Sequence, residues 1–356
     1  MRLGLDLRCM TEGEAGGIAV YARELTSRLS ALLGSENVAG VVTGMSVRVP
    51  EVSFPVKRLR VSNKLLNTSF ITTRWPHLDS VVGADVFFAP TLKYLGLHRD
   101  TPLVLTLHDL SFIEHPEYFT FRQRIWHRGL HLRWLLERAT RIIAVSQHTA
   151  DDVQRLFPVT VGKVRVVYSG ADHVPPGPHA PLPSLPPVYL LAFAPREARK
   201  NIANLRAAQA IVFPQHATPL VLIGSGAGEP APGIVPVPYL NDSERWRAVA
   251  NAQAFIYPSV YEGFGFPPLE AMTLGVPVIA SHVTSIPEVG GDAALLVDPW
   301  DPQDIARAMV ALVRDRALRE QYSALGRIRA KYFTWDACAK QTAGVIKEAY
   351  DYAHRH

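Results

Sequence analysis

The sequence predicts an α/β fold in which two parallel-sheet domains face a central cleft. Three observations support this prediction. Short apolar runs alternate with helical stretches, a proline-rich segment divides the chain near its middle, and the same alternation resumes after that segment. Strands that alternate with helices form parallel sheets, whose strands are apolar because helices cover both faces. At roughly 150 residues per domain, a chain of 356 residues also corresponds to two domains.

The first half, residues 1–174, is predicted to form the N-terminal domain. Its apolar runs are short, as expected for buried strands, and two longer stretches between them are predicted to be helical. The strands are predicted at 2–7, 38–43, 85–89, 103–107, 141–145 and 164–167, and the helices at 19–33 and 121–138.

A proline-rich segment follows at 175–187, with seven prolines in thirteen residues. Proline fixes φ and has no amide hydrogen, so we expect an extended and fairly stiff linker. A long surface loop within one domain is the alternative.

The second half, residues 188–334, is predicted to form the C-terminal domain, and a helix over 335–356 is expected to pack back on the N-terminal domain. Because ligands bind at the carboxyl ends of parallel strands, we expect a binding site at those ends. The strands are predicted at 188–193, 220–223, 234–237, 254–257, 278–280 and 295–297, and the helices at 202–212, 242–251 and 302–315.

Composition excludes several classes of protein. A hydrophobic share of 48% with 19% charged residues is typical of a packed globular chain and not of a disordered one. Two cysteines, Cys9 and Cys338, are too few for a disulfide scaffold and indicate a reducing compartment. No signal peptide is visible, and no apolar stretch approaches the ~20 residues that span a bilayer. We therefore expect a cytoplasmic protein that could meet a membrane only peripherally, at its inner face.

The net charge of +5 is unevenly distributed. Residues 1–175 hold 21 Lys and Arg against 16 Asp and Glu, whereas residues 176–356 hold 16 of each. The basic excess includes the segment 118–141, which carries six arginines and two tryptophans. Arginine, tryptophan and leucine interleaved on a helix favour an anionic membrane face or an anionic acceptor, with a solvated helix as the alternative. No nucleic-acid-binding module is present, so nucleic acid is not an expected partner.

The strongest motif is the segment 257–272, YPSVYEGFGFPPLEAM. A strand ends near its start, and Gly263 and Gly265 then allow a ligand to approach the backbone closely. The two prolines that follow suit the first turn of a helix, where their missing N–H groups are not needed. A helix N-terminus with free amides is a site for anions such as phosphate. Glu262 and Glu270 bracket this loop, and their carboxylates could accept hydrogen bonds from sugar hydroxyls.

Glu262 and Glu270 resemble the E-x7-E motif of the retaining GT-B glycosyltransferases of family 4, and the resemblance covers nearly the whole chain. It is strongest to the bacterial branch rich in GDP-mannose-dependent mannosyltransferases. It implies a GT-B fold and a retaining, metal-independent hexosyltransferase whose donor is a nucleotide sugar and whose acceptor is a glycan, a lipid-linked molecule or a small molecule. No cofactor is implied. In keeping with this, the chain contains no Asp-x-Asp motif, the usual metal-binding signature of the other major glycosyltransferase fold.

The same resemblance implies roles for individual residues. Glu262 would contact or position the donor sugar, and His108, after an apolar strand, would also contact it. The basic turn 196–201 would meet the diphosphate through Lys200, with either Arg196 or Arg199 as its partner. The remaining donor-binding residues implied by the resemblance are Gly17, Gly263, Phe264, Gly265, Phe266 and Glu270, the last through the ribose hydroxyls.

Several alternatives remain open from the sequence. The resemblance alone favours GDP-mannose, and UDP- and dTDP-sugar donors remain open, because base contacts in this fold are largely made by the backbone. A sugar-nucleotide epimerase would need acid and base carboxylates at the cleft, and a phosphorylase would need a much longer chain with a pyridoxal-bound lysine. Neither pattern is apparent in this sequence. A sugar-nucleotide-binding protein without catalytic activity is the third alternative.

Overall fold

A computed structural model describes residues 1–11, 16–45 and 47–355 of the chain. These residues divide into two compact units. The first comprises Met1–Gly170 together with Trp335–His356, of which residue 356 lies outside the described part, and the second comprises Ala171–Thr334. The division therefore falls between residues 170 and 171, a few residues before the proline-rich segment.

The first unit is built on a parallel sheet that, over the described residues, has seven strands in the order β3-β2-β1-β4-β5-β6-β7. Strand β1 is central, with Leu3 paired to Val38 on one side and to Val86 on the other. The strands are β1 Leu3–Asp6, β2 Val38–Thr43, β3 Val56–Leu59, β4 Val86–Ala89, β5 Leu103–Leu107, β6 Arg141–Ala144 and β7 Val164–Val166.

Helices cover this sheet, and the predicted helix over 121–138 is divided in two. The break is at His131, whose φ of 48° lies in the left-handed region. This residue separates the end of one helix from the start of the next. The helices are α1 Gly17–Leu33, α2 Asn63–Thr72, α3 Leu78–Val82, α4 Ser111–Glu114, α5 Phe121–Gly129, α6 Leu132–Arg138 and α7 Gln147–Leu156.

The second unit repeats the architecture with a parallel sheet of six strands in its described residues, in the order β10-β9-β8-β11-β12-β13. The strands are β8 Leu190–Phe193, β9 Leu220–Ile223, β10 Ile234–Val237, β11 Ala254–Tyr257, β12 Val278–Ser281 and β13 Ala294–Val297. The helices are α8 Ile202–His216, α9 Asp242–Ala250, α10 Phe266–Thr273, α11 Ile286–Gly290, α12 Pro302–Arg314 and α13 Arg316–Ala330. The parallel sheet in each half confirms the predicted α/β class.

The last helix, α14 Trp335–Ala353, lies in the first unit, against α1 and strands β4, β5 and β6. Trp335 is fully buried there, and Arg141 donates a hydrogen bond to Glu348 at 2.8 Å. No helix of the described residues is both long and apolar enough to cross a membrane.

The proline-rich segment belongs to the second unit and forms neither helix nor strand. It is attached to that unit because Arg247 donates hydrogen bonds to the carbonyls of Ala180 and Pro181, and because Leu182 and Leu185 are buried. Leu185 donates a backbone hydrogen bond to the carbonyl of Leu182, so the segment contains a turn and is not extended along its whole length.

Candidate active site

The order of the strands locates a candidate site at the carboxyl ends of β8 and β11. Chain connections leave in opposite directions from these two neighbours, because β8 continues outward to β9 and β11 to β12. In open parallel sheets, such a switch point opens a crevice that binds ligands. The basic turn 196–201 follows β8, and the glycine-rich loop with Glu262 follows β11, so both motifs meet at this point.

The loop after β8 is fixed to the loop after β11 by backbone contacts. Residues Ala198–Lys200 form a short 3₁₀ turn, and Asn201 adopts a φ of 56°. The carbonyl of Arg199 accepts a hydrogen bond from the amide of Val260 at 2.8 Å, and Ser259 Oγ lies 3.0 Å from the same oxygen. This arrangement brings the side chains of Arg199 and Lys200 to the same carboxylate.

That carboxylate is Glu262, which is only 6% exposed. Its Oε1 accepts hydrogen bonds from Lys200 Nζ at 2.6 Å, Ser259 Oγ at 2.6 Å and Tyr257 Oη at 2.8 Å, and its Oε2 accepts one from Arg199 Nη1 at 2.6 Å. The backbone is held as well, since the Glu262 amide donates to Thr284 Oγ1 and its carbonyl accepts from Ser285 Oγ. Glu262 is therefore rigidly placed as the centre of a cation cluster.

The electrostatics of the cluster favour a charged carboxylate. Burial alone would raise the pKa of Glu262, but Arg199 and Lys200 outweigh it and lower the pKa to about 2. Burial lowers the pKa of Lys200, and the Glu262 carboxylate acts in the opposite direction. Lys200 and Arg199 both contact the buried Glu262 carboxylate, and Arg199 also contacts the more exposed Glu197. The two cations and two carboxylates sum to zero, so an anionic ligand would meet Arg199 by taking the place of the exposed Glu197.

The glycine-rich loop leads directly into α10. Gly265 is the residue before the helix and has a φ of 95°, and a Cβ atom built on it would lie 2.7 Å from Ile286 Cδ1. Pro267 and Pro268 occupy the first turn, as the sequence predicted. Phe264 is buried against Phe266 and Phe333, so it can meet a ligand only through its backbone. Gly263 is buried in the same loop.

The second motif carboxylate, Glu270, lies on α10 and is held less tightly. His173 Nε2 is 3.0 Å from Glu270 Oε1, and Arg245 Nη1 is 3.5 Å from Oε2. His173 itself lies edge-on to Trp246 and Phe266. These contacts orient the carboxylate while leaving it weaker hydrogen bonds than those around Glu262.

In the first unit, the two predicted residues lie near the carboxyl ends of its strands. His108 follows β5, with Nε2 2.9 Å from the carbonyl oxygen of Pro90 and its ring edge-on to Tyr21 at 4.9 Å. Burial raises the pKa of Tyr21 well above its ordinary value, so its hydroxyl stays protonated. Gly17 is the first residue of α1, after Gly16 with a φ of 131°. Residues 12–15, just before Gly16, lie outside the described residues.

The structure brings together Arg199, Lys200 and Glu262, but not Arg196. Arg196 is exposed, and its Nε donates to the carbonyl of Ser225 at 2.9 Å. Arg199 is therefore the arginine beside Lys200.

Four residues of the site were missed from the sequence. Tyr257 and Ser259 lie in the motif 257–272, at the end of β11. A polar side chain at the end of a buried strand could have indicated that they belong to the site. His173 and Arg245 gave no such signal, because they reach Glu270 from distant segments.

Comparisons with known proteins identify the family of this chain. Residues 15–175 match the family described as "Glycosyltransferase Family 4", and residues 188–315 match "Glycosyl transferases group 1". O-antigen chain mannosyltransferase B of Escherichia coli is 34% identical over 272 residues, which are 70% of this chain and 71% of that protein. Alpha-maltose-1-phosphate synthase of Mycolicibacterium smegmatis is 31% identical over 390 aligned positions, covering 98% of this chain and 99% of that protein.

A solved structure shows the same fold. Sucrose-phosphate synthase from Thermosynechococcus elongatus superposes with a TM-score of 0.75 over 98% of this chain and 99% of that chain, at 20% identity. Together with the parallel sheet in each unit, this likeness shows the GT-B fold.

Proposed function

This chain belongs to glycosyltransferase family 4, and we propose that it transfers mannose from GDP-mannose to a hydroxyl group, with retention of configuration at the anomeric carbon. The acceptor in this proposal is a glycan, a lipid-linked molecule or a small molecule of glycoconjugate synthesis. The observation that carries the proposal is the cluster of Lys200, Arg199 and Glu262 at the switch point of the second sheet.

This cluster suits the departure of a nucleoside diphosphate. When the glycosidic bond of the donor breaks, negative charge grows on the leaving diphosphate, and a cation already in place stabilises that charge most in the transition state. Lys200 and Arg199 are held in place by Glu262 before any ligand binds, so little reorganisation is needed. In this proposal the two cations offset the charge without a metal ion.

The other predicted residues take complementary roles in the proposal. Glu270 accepts hydrogen bonds from the ribose hydroxyls, and the backbone of the loop from Gly263 to Phe266 approaches the diphosphate. His108 contacts the transferred sugar, and Gly17 lies near the donor phosphate and the acceptor. A contact of Arg196 with the diphosphate remains a prediction, and Arg196 is an exposed cation that follows β8. No catalytic nucleophile is assigned, and the proposed displacement takes place on one face of the sugar.

Mannose is favoured by the 34% identity with a protein named as a mannosyltransferase. The second candidate is transfer of another hexose from a different nucleotide, because a relative named for a maltose phosphate product is 31% identical over nearly the whole chain. Thermal-shift measurements with GDP, UDP and dTDP separate these donors. We expect stabilisation by GDP first, and stabilisation by UDP alone would contradict the GDP-mannose assignment.

Turnover measurements test the site itself. We expect Lys200→Ala and Glu270→Ala to lose most donor turnover, since the first removes a cation from the leaving group and the second removes the proposed ribose contact. Arg316→Ala is the matched control, because Arg316 is exposed and pairs only with Glu320 among the described residues. Parental turnover in both site variants, with unchanged melting temperatures, would contradict the assignment.

A peripheral contact with an anionic membrane is the last part of the proposal, and helix α5 supports it. No residue of α5 is buried; Phe121 is 73% and Ile125 53% exposed, and Arg122, Arg124 and Arg128 lie on the same helix. Apolar and basic side chains together on an exposed helix fit the interface of an anionic bilayer. Phosphatidylglycerol vesicles should sediment the parent protein at low salt, and much less of a variant with all three arginines changed to glutamine. Equal sedimentation of both proteins would contradict this contact.

A further inference from the structure

Arg245 has hydrogen-bonding capacity that the protein does not use. It lies on α9, whose first turn is fixed by a capping box between Asn241 and Glu244. Its Nη1 reaches Glu270 Oε2 only at 3.5 Å, and its Nε lies 3.9 Å from Asp242 Oδ1, beyond hydrogen-bond distance. Nε is buried and has no hydrogen-bond acceptor among the described residues, and Nη2 has none there either.

An arginine in this state is expected to have a partner. Buried N–H groups without acceptors cost free energy, so proteins leave few of them. The guanidinium plane is held by the indole of Trp246, 3.9 Å from Cζ to the ring centroid, and Trp246 is buried. The side chain as a whole is 24% exposed but Nε is buried, so a ligand that pairs with both Nε and Nη2 requires a shift of this side chain. The two N–H groups at Nε and Nη2 point the same way on a guanidinium and therefore match two adjacent acceptor atoms.

We propose that Arg245 hydrogen-bonds the O6 and N7 atoms of guanine in the donor nucleotide and so determines the choice of base. This inference rests on the proposed function, in which Glu270 receives the ribose hydroxyls. The base is attached directly to the ribose, and Arg245 contacts Glu270, so the guanidinium lies within reach of a base bound there.

The chemistry of the bases explains the choice. Guanine presents two adjacent acceptors at O6 and N7, which is the arrangement arginine recognises with two parallel hydrogen bonds. Uracil and thymine present O4 beside the N3–H donor, and adenine presents N7 beside an amino group, so each offers this pair of donors only one acceptor. Arg245 therefore favours GDP over UDP, dTDP and ADP.

A phosphate also offers two adjacent acceptors, so the test must distinguish base from phosphate. We would titrate GDP, 7-deaza-GDP and UDP into the parent protein, Arg245→Ala and the control Arg316→Ala by calorimetry. The parent should bind 7-deaza-GDP about tenfold more weakly than GDP, because one acceptor is lost. Arg245→Ala should bind GDP roughly tenfold to a hundredfold more weakly than the parent does and no longer discriminate GDP from 7-deaza-GDP.

The outcomes separate this inference from the proposed function. Equal losses of GDP, 7-deaza-GDP and UDP affinity in Arg245→Ala would overturn the inference, because they indicate a contact to phosphate or to Glu270. If the parent protein prefers GDP and Arg245→Ala retains that preference, this inference is wrong and the proposed function stands. A parent that binds UDP more tightly than GDP would overturn the GDP-mannose donor, and this inference with it. Loss of the GDP preference together with loss of the 7-deaza effect supports it.

Discussion

Replacing Glu262 by glutamine should destabilise the second unit, because it removes one negative charge from between two cations. Glutamine has nearly the same shape, so packing is retained, but Lys200 keeps its positive charge without the carboxylate, and Arg199 keeps only the exposed Glu197 as a counter-charge. Lys200 is only 11% exposed, and water cannot replace the lost carboxylate easily. Removing one partner of a buried ion pair costs about 3–5 kcal/mol in other proteins.

The pKa of Glu262 gives an independent magnitude. It falls from the ordinary value of 4.5 to about 2 in the folded protein. At 1.36 kcal/mol per unit, that difference stabilises the fold by about 3 kcal/mol at neutral pH. Since the folded-state value is the lower one, the contribution is fully present above about pH 4.5 and is lost as the pH falls towards 2.

Scanning calorimetry of the parent and of Glu262→Gln tests both statements. For a unit of this size, about 3 kcal/mol corresponds to a melting temperature lower by roughly 6–12 °C at pH 7. The free-energy difference should fall to roughly half or less by pH 3. Glu320→Gln is the matched control, because it removes an exposed carboxylate paired with Arg316 and should change stability by about 0.5 kcal/mol or less. A Glu262→Gln protein that melts within about 1 °C of the parent at pH 7 would refute the reasoning.

Three further predictions concern individual side chains. Tyr257→Phe keeps the ring but removes the hydroxyl that accepts from Lys200 and donates to Glu262, so steady-state assays should show a lower kcat with little change in the donor KM; an unchanged kcat would exclude this role. Gly265→Ala should cost about 1–2 kcal/mol because its φ is 95°, whereas Gly344→Ala, with open space around its Cβ, should be neutral or stabilising in the same unfolding assay. Asp6→Asn leaves the buried Arg8 guanidinium without the carboxylate that it contacts at 2.6 and 2.8 Å, and the melting temperature should report a loss of about 3–5 kcal/mol; a loss below about 1 kcal/mol would contradict it.

The sheets were predictable because their central strands are buried on both faces and read as unbroken apolar runs. The exception is β3, Val56–Leu59, which is not among the predicted strands because it carries Lys57 and Arg58. It is an edge strand, and Lys57 and Arg58 are tolerated there because one side of the strand has no neighbour in the sheet. The break at His131 was also invisible, because a single left-handed residue does not interrupt the pattern of arginines and leucines.

The site was predictable only where a local motif encodes it. Glu262, Gly265 and Glu270 lie within nine residues of each other, and their spacing follows from one loop and one helix. Which of Arg196 and Arg199 lies beside Glu262 could not be told from the sequence, because it depends on the 3₁₀ turn at 198–200 that directs Arg199 towards Glu262. Contacts from Arg245 and His173 depend on the tertiary fold, which no local pattern describes.

The two glutamates of the motif differ in what they can still bind, and this difference assigns them separate tasks. Glu262 accepts four hydrogen bonds of 2.6–2.8 Å, so a sugar hydroxyl could reach it only by displacing a charged or buried donor. Glu270 is held at 3.0 and 3.5 Å, and a ligand hydroxyl can compete with contacts of that length. We therefore expect Glu262 to act on the donor through the positions of Lys200 and Arg199, and Glu270 to act by direct contact. Conservative changes to glutamine should therefore lower kcat at the first position and raise the donor KM at the second. The reverse pattern would show that Glu262 meets the sugar itself.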